Sequence, residues 1–184
     1  MATAARQYTV DDLRRMPGDE LWELWDGELH RVPGAGTTAS DLAQWIGMLI
    51  GLFVRPRRLG VLTGADGTYV LGHSPQTVVV PDVAFVRWER LPGRARPDGY
   101  CPVPPDLAVE VISPSDEPGD IARKRELYRR AGVPLVWWVD PWRRAVAVYR
   151  DGMLAGEFGA GDELDGGDVL PGFRVAVAEI FAEG

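Results

Sequence analysis

Apolar positions along this chain recur at two spacings. Leu42, Trp45, Ile46, Leu49, Ile50 and Phe53 follow the helical one. Thr38, with Asp41 three residues on, reads as the cap of that helix, and Arg55-Pro56 as its stop. A shorter helix is expected earlier, with Thr9 as N-cap and Asp12 as the capping-box acid, closed by Pro17-Gly18. Between these helices, residues 21–25 and 28–32 flank Asp26-Gly27, a strong hairpin signal.

The middle of the chain is β-rich. Residues 61–63 and 68–71 bracket an Asp66-Gly67 turn, and 77–86 is a β-branched run broken by Pro81. Proline lacks a ladder donor, so Pro81 marks an edge, a bulge or a bend. Residues 87–105 form a long loop rich in Pro, Gly and Arg, and loops of this length are often functional. Residues 107–112 read as a strand, about 119–131 as a helix, and 135–139 as a strand buried on both faces. Strands at 145–150 and 153–158 follow. Residues 159–172 read as loop or edge, and 175–182 as a short final strand or helix.

Composition narrows the chemistry. A chain of 184 residues with 46% apolar content is expected to form one domain over 1–184 with a real core. Residues 42–54 are apolar but too short for a membrane span, and residues 1–7 carry no apolar signal core, so no membrane and a cytoplasmic location are expected. One cysteine, Cys101, and two histidines, His30 and His73, exclude an internal disulfide and leave little for a Cys- or His-based metal site. Any metal would therefore be held by oxygens, which favours magnesium, manganese or calcium over zinc.

The net charge of −7 is uneven. Residues 151–184 hold eight acids and one base, whereas 1–150 balance. Bases cluster at Arg55, Arg57 and Arg58, at Arg87 to Arg96, and at Arg123 to Arg130, where they could grip phosphates or form solvated surface. The acidic segment is expected to lie away from any substrate groove, or to mediate self-association.

Two carboxylates interrupt apolar strands: Asp82, after Pro81, and Glu110, within 107–112. Such groups are costly to bury unless paired or bound to a metal. Alternation puts Asp106, Ala108, Glu110 and Ile112 on one face. The chain has nineteen arginines and one lysine, Lys124. Ammonium is a compact charge with a readily shifted pKa, unlike guanidinium. Asp120, Lys124, Leu127, Tyr128 and Ala131 share a helical stripe, which turns Lys124 toward the strand end carrying Glu110. Asp82, Glu110 and Lys124 are thus expected to converge at one sheet edge. Phosphodiester hydrolysis uses such a set: carboxylates hold one or two Mg²⁺ ions, and an ammonium positions or deprotonates water and neutralises developing charge.

Pro81-Asp82 followed by Glu110-Val111-Ile112 resembles the PD-(D/E)XK nuclease superfamily, with Ile112 where the lysine should stand. More closely, the chain resembles the Uma-two family of restriction endonucleases. The likeness runs through 23–29, 81–86, 105–115, Asp120 through Lys124 to Tyr128, 131–134 and 138–141. It implies an α/β fold with a restriction-endonuclease-like core, a central mixed β-sheet flanked by helices, and an N-terminal helix and β-hairpin extension. It also implies a metal-dependent nuclease acting on DNA, using Mg²⁺ with Mn²⁺ as the alternative. Asp82 and Glu110 would be metal ligands, the carbonyl of Val111 a third, Glu28 an outer metal contact, and Lys124 the catalytic lysine displaced to a helix. Many such nucleases pair up to cut two strands, so a homodimer is implied too. Family members often carry a His at the start of the second helix, where this chain has Thr38-Ala39-Ser40-Asp41.

Plainer readings stand beside these. Glu110 and Lys124 could form a structural ion pair, Glu28 could be an ordinary hairpin residue, and Asp120 could serve the helix dipole. His30, His73 and Cys101 read as structural, and Trp137 and Trp138 as packing. The rivals to an active nuclease are a catalytically inactive nuclease-fold protein, acting as a nucleic-acid-binding or regulatory module, and an interaction protein.

Overall fold

The computed structural model describes residues 6–18, 20–74 and 76–182. Met1 to Ala5, and Glu183 and Gly184 of the acidic segment, lie outside the described residues. Helix α1 (Val10–Arg14) is closed by the expected capping box: Thr9 and Asp12 exchange side-chain and backbone hydrogen bonds. Strands β1 (Trp22–Trp25) and β2 (Glu28–Arg31) form the expected hairpin. Asp26 and Gly27 both take positive φ, 53° and 85°, as a two-residue primed turn requires.

Helix α2 (Thr37–Val54) starts earlier than its pattern predicts. Gly36 is the N-cap, and its carbonyl accepts the first helical bond from Ser40. Thr38 therefore lies inside the helix and caps nothing. The helix is long and apolar enough to cross a membrane by length and composition, yet Leu42, Ala43, Ile46, Ile50 and Val54 are buried in the core.

Strands β3 (Gly60–Thr63) and β4 (Tyr69–His73) flank the Asp66-Gly67 turn but part into different sheets. Strand β5 (Gln76–Val79) pairs with β4, and β6 (Val83–Arg87) pairs with β3. The bend at Pro81 carries the chain from one sheet to the other. Two short 3₁₀ turns, at 88–90 and 92–94, punctuate the long loop that follows. Then come β7 (Leu107–Val111), α3 (Pro118–Arg130), β8 (Leu135–Asp140), β9 (Ala145–Arg150) and β10 (Met153–Phe158). The acidic segment continues into β11 (Glu163–Gly166), β12 (Leu170–Ala176) and α4 (Val177–Ile180).

The central sheet is mixed, in the order β10-β9-β8-β7-β6-β3, with β7 and β8 its parallel pair. Its alternation sets the layers. Leu107, Val109 and Val111 face a core with α2, β12 and α4, whereas Ala108 and Ile112 face a second core with Leu127 and Tyr128 of α3. Trp137 and Trp138 point into opposite cores, so β8 is buried on both faces as expected. The smaller antiparallel sheet, β2-β1-β5-β4, lays Trp25, Tyr69, Leu71 and Val79 against the second core and is backed by α1. Glu110 therefore opens between α3 and the smaller sheet, on the face away from β11, β12 and α4.

Candidate active site

Four elements meet at Glu110. Antiparallel pairing of Val83 with Val109 sets Asp82, one residue beyond the ladder, opposite Glu110. Asp82 Oδ2 accepts the Val111 N–H at 2.7 Å, which fixes the Pro81 bend to the end of β7. Strand β1 adds Glu23, 3% exposed. Its Oε1 accepts the Val80 N–H at 2.7 Å and its Oε2 accepts the Trp25 indole N–H at 2.7 Å. Helix α3 brings Lys124 and, one turn on, Tyr128.

Lys124 sits between the two glutamates. Its Nζ lies 2.8 Å from Glu23 Oε1 and 2.9 Å from Glu110 Oε1. The Tyr128 hydroxyl donates to the same oxygen of Glu110. Asp82, Glu110, Glu23 and Lys124 line one cleft of about 490 Å³, with His30 and Asp120 at its walls.

The electrostatics follow from three carboxylates sharing one ammonium in a buried place. Burial pushes the Glu110 carboxyl up to about 8, against the pull of Lys124, and the charges of Asp82 and Glu23 add to the push. Burial also raises Asp82, opposed by the Val111 N–H and by Lys124. For Lys124, burial works against the charge, but Glu110 and Glu23 outweigh it and hold the amine above its ordinary range. Burial, with Glu110 and Glu23 beside it, keeps the Tyr128 hydroxyl protonated.

The structure thus brings Asp82, Glu110 and Lys124 together and leaves Glu28 aside. Glu28 is exposed at the turn end of the hairpin, bonded to Arg123 at 2.7 Å, and does not line the cleft. Arg123 holds its carboxyl below the usual range. Sequence reasoning missed Glu23, although the rule that selected Asp82 and Glu110, a carboxylate inside an apolar strand, applies equally to Leu21-Trp22-Glu23-Leu24-Trp25. His30, opposite Glu23 in the hairpin register and read from the sequence as structural, stacks its ring on Trp25 at 3.9 Å. Burial and Arg123 depress the His30 imidazole. Asp106 is a structural residue, buried under Arg87 and Arg90. Asp140 caps its turn through the Trp142 and Arg143 N–H groups.

Among the described residues, no group of three or more His, Cys, Asp or Glu side chains is arranged to hold a metal ion. Carboxylate oxygens of Asp82, Glu110 and Glu23 line the cleft as donors. Asp82 keeps Oδ1 free of any hydrogen bond among the described residues, and the cluster has more anions than cations. An oxygen-only set of few ligands fits a hard divalent cation that retains waters.

These features define a class, the restriction-endonuclease-like α/β proteins. The chain resembles, at 19% identity, a solved structure described as "a putative nuclease belonging to DUF820 from Anabaena variabilis ATCC 29413". The TM-score is 0.80, covering 94% of this chain and 97% of that one. The chain belongs to the Uma2 family, described as "Putative restriction endonuclease", whose model matches residues 10–178. No curated protein matches it.

Proposed function

We propose that this protein is a magnesium-dependent endonuclease that hydrolyses phosphodiester bonds of DNA, with Asp82, Glu110 and Lys124 as its site. One observation carries the reading. A lone lysine is clamped between two buried glutamates, next to a third carboxylate with a free oxygen, at the wall of an open cleft. A purely structural pair needs neither the surplus acid nor the opening.

In this reading Asp82 and Glu110, with the Val111 carbonyl, would hold the ion. Bound magnesium would supply Lewis acidity at the phosphoryl oxygens and relief at the leaving group. Lys124 stays charged because Glu23 and Glu110 face it. A charged ammonium has no lone pair, so it orients the attacking water and neutralises charge developing on the phosphoryl group, rather than acting as the base. Tyr128 fixes the Glu110 carboxylate, and Glu23 fixes Lys124.

Nicking of supercoiled plasmid tests this. The expected result is cleavage with Mg²⁺ or Mn²⁺ and none with chelator, with about 10²-fold or greater loss in Lys124→Met. Absence of cleavage on every nucleic acid tried, with both metals, would favour the inactive nucleic-acid-binding module instead.

A further inference from the structure

A second groove, of about 660 Å³, opens from the cleft at Asp82 and Ala35 and runs along the outer face of α2. Ser40, Gln44, Met48, Leu52 and Arg55 lie along it at helical spacing. Its middle is apolar and open to solvent: Met48 is 50% and Leu52 69% exposed. At the far end Arg55 also lines the next hollow, together with Arg96 from the long loop.

The charge pattern gives this groove a direction. Most arginines of the chain pair with a carboxylate. Seven arginines have no such partner within 4.0 Å among the described residues: Arg57, Arg125 and Arg144 bond to carbonyl or hydroxyl oxygens instead, Arg15 follows α1, and Arg55, Arg58 and Arg96 are exposed, Arg55 and Arg96 lining this one hollow. The dipole of α2 explains a cation or two at its C-terminus. It does not explain Arg96, which comes from a different element. One acid, Asp66, shares the rim of that hollow.

We infer that the outer face of α2 is a DNA-binding track that leads from the cleft at Asp82 to a phosphate anchor at Arg55 and Arg96. This rests on the proposed nuclease function and adds where the substrate lies. From Ser40 to Arg55 the helix rises about 22 Å, the span of roughly six to seven duplex steps of about 3.4 Å. The scissile phosphate lies at Asp82, sugar and base edges pass Met48 and Leu52, and a flanking phosphate meets the two guanidiniums.

The test is fluorescence anisotropy of a labelled duplex of about 20 base pairs across a salt series, in calcium to hold cleavage off. The variants are Arg55→Gln/Arg96→Gln and, separately, Met48→Glu. A control, Arg143→Gln/Arg174→Gln, removes cations that already have carboxylate partners. The first double variant is expected to bind about tenfold or more weakly. Its slope of log Kd against log salt should fall by about 0.9, since the double variant leaves one phosphate no longer neutralised. Met48→Glu should also weaken binding, and the control should match the parent. Thermal melts equal to the parent confirm that the exposed changes leave the fold intact. If the parent binds and nicks DNA while Arg55→Gln/Arg96→Gln keeps its affinity and slope, the track is wrong and the nuclease reading stands. A change in sedimentation without a change in affinity also overturns the track, and makes this face a contact between copies. If the parent neither binds nor nicks DNA, both fall.

Discussion

Lys124 Nζ and Glu23 Oε1 lie 2.8 Å apart, joining α3 to the first strand of the N-terminal hairpin. The hairpin is therefore part of the site and not an appendage to it. Glu23 also raises the Glu110 carboxyl. Glu23→Gln keeps the side-chain volume and removes one of the two charges that hold the ammonium. The expected result is at least about tenfold slower nicking, with Glu110 titrating at lower pH than in the parent. Kinetics and a pH series of metal binding check both.

Glu110 predicts a pH dependence of stability with an unusual sign. Burial pushes its carboxyl up to about 8 in the folded protein, from an ordinary value of 4.5. Between those values the folded state holds a proton that the unfolded chain has released. Stability of the metal-free protein should therefore fall as pH rises through that window and level off above it. Lys124 does not add to the decline, because its raised value keeps its contribution intact throughout this range. Thermal melts in chelator from about pH 5 to about pH 9 should show the decline in the parent and a shallower profile in Glu110→Gln, where the raised Asp82 and the depressed His30 still titrate with opposite signs.

The hairpin is held against α3 by two outward-facing arginines. Arg130 bonds both oxygens of Asp26, at 2.7 and 2.8 Å, and Arg123 bonds Glu28. These pairs are exposed to solvent, so each should contribute little to stability. Arg130→Ala should lower the melting temperature only slightly. It should reduce nicking by more than that loss explains, because Glu23 is positioned through the same hairpin. Comparing chemical denaturation with nicking rates separates the two effects.

Gly60 tests the sheet order. It pairs with Arg87 at the edge of the central sheet, and a Cβ there would lie 2.0 Å from the Val86 carbonyl oxygen and 2.7 Å from Phe85 Cε2. Gly60→Ala should destabilise the fold by about 1–3 kcal/mol. A denaturation midpoint equal to the parent would contradict the β3–β6 pairing.

Features set by local chemistry were legible in the sequence. The Thr9–Asp12 capping box, the Asp26-Gly27 turn and the doubly buried β8 each follow from a few adjacent residues. Lys124 was legible because its helical stripe also carries Leu127 and Tyr128, which had to face the sheet. What escaped depends on distant partners. Nothing near Asp66-Gly67 reveals that β3 pairs with β6 and β4 with β5. Alternation alone could not separate Glu23 from Glu28 either. Glu28 stands across from Trp25 in the register, on the face that Glu23 also uses, but two residues nearer the turn. Only the docking of α3 on the hairpin decides which glutamate meets Lys124 and which meets Arg123.

In the proposed function Asp82 and Glu110 would hold a divalent cation, which would supply the Lewis acidity, while Lys124 orients water and neutralises developing charge. Calorimetric titration of the full chain with Mn²⁺ is the decisive experiment. Saturable binding should occur in the parent, persist in Glu28→Gln, and vanish in Asp82→Asn, whose amide oxygen still accepts the Val111 N–H and spares the fold. A parent that binds no metal, or an Asp82→Asn protein that binds it as tightly as the parent, would refute that role for the two carboxylates.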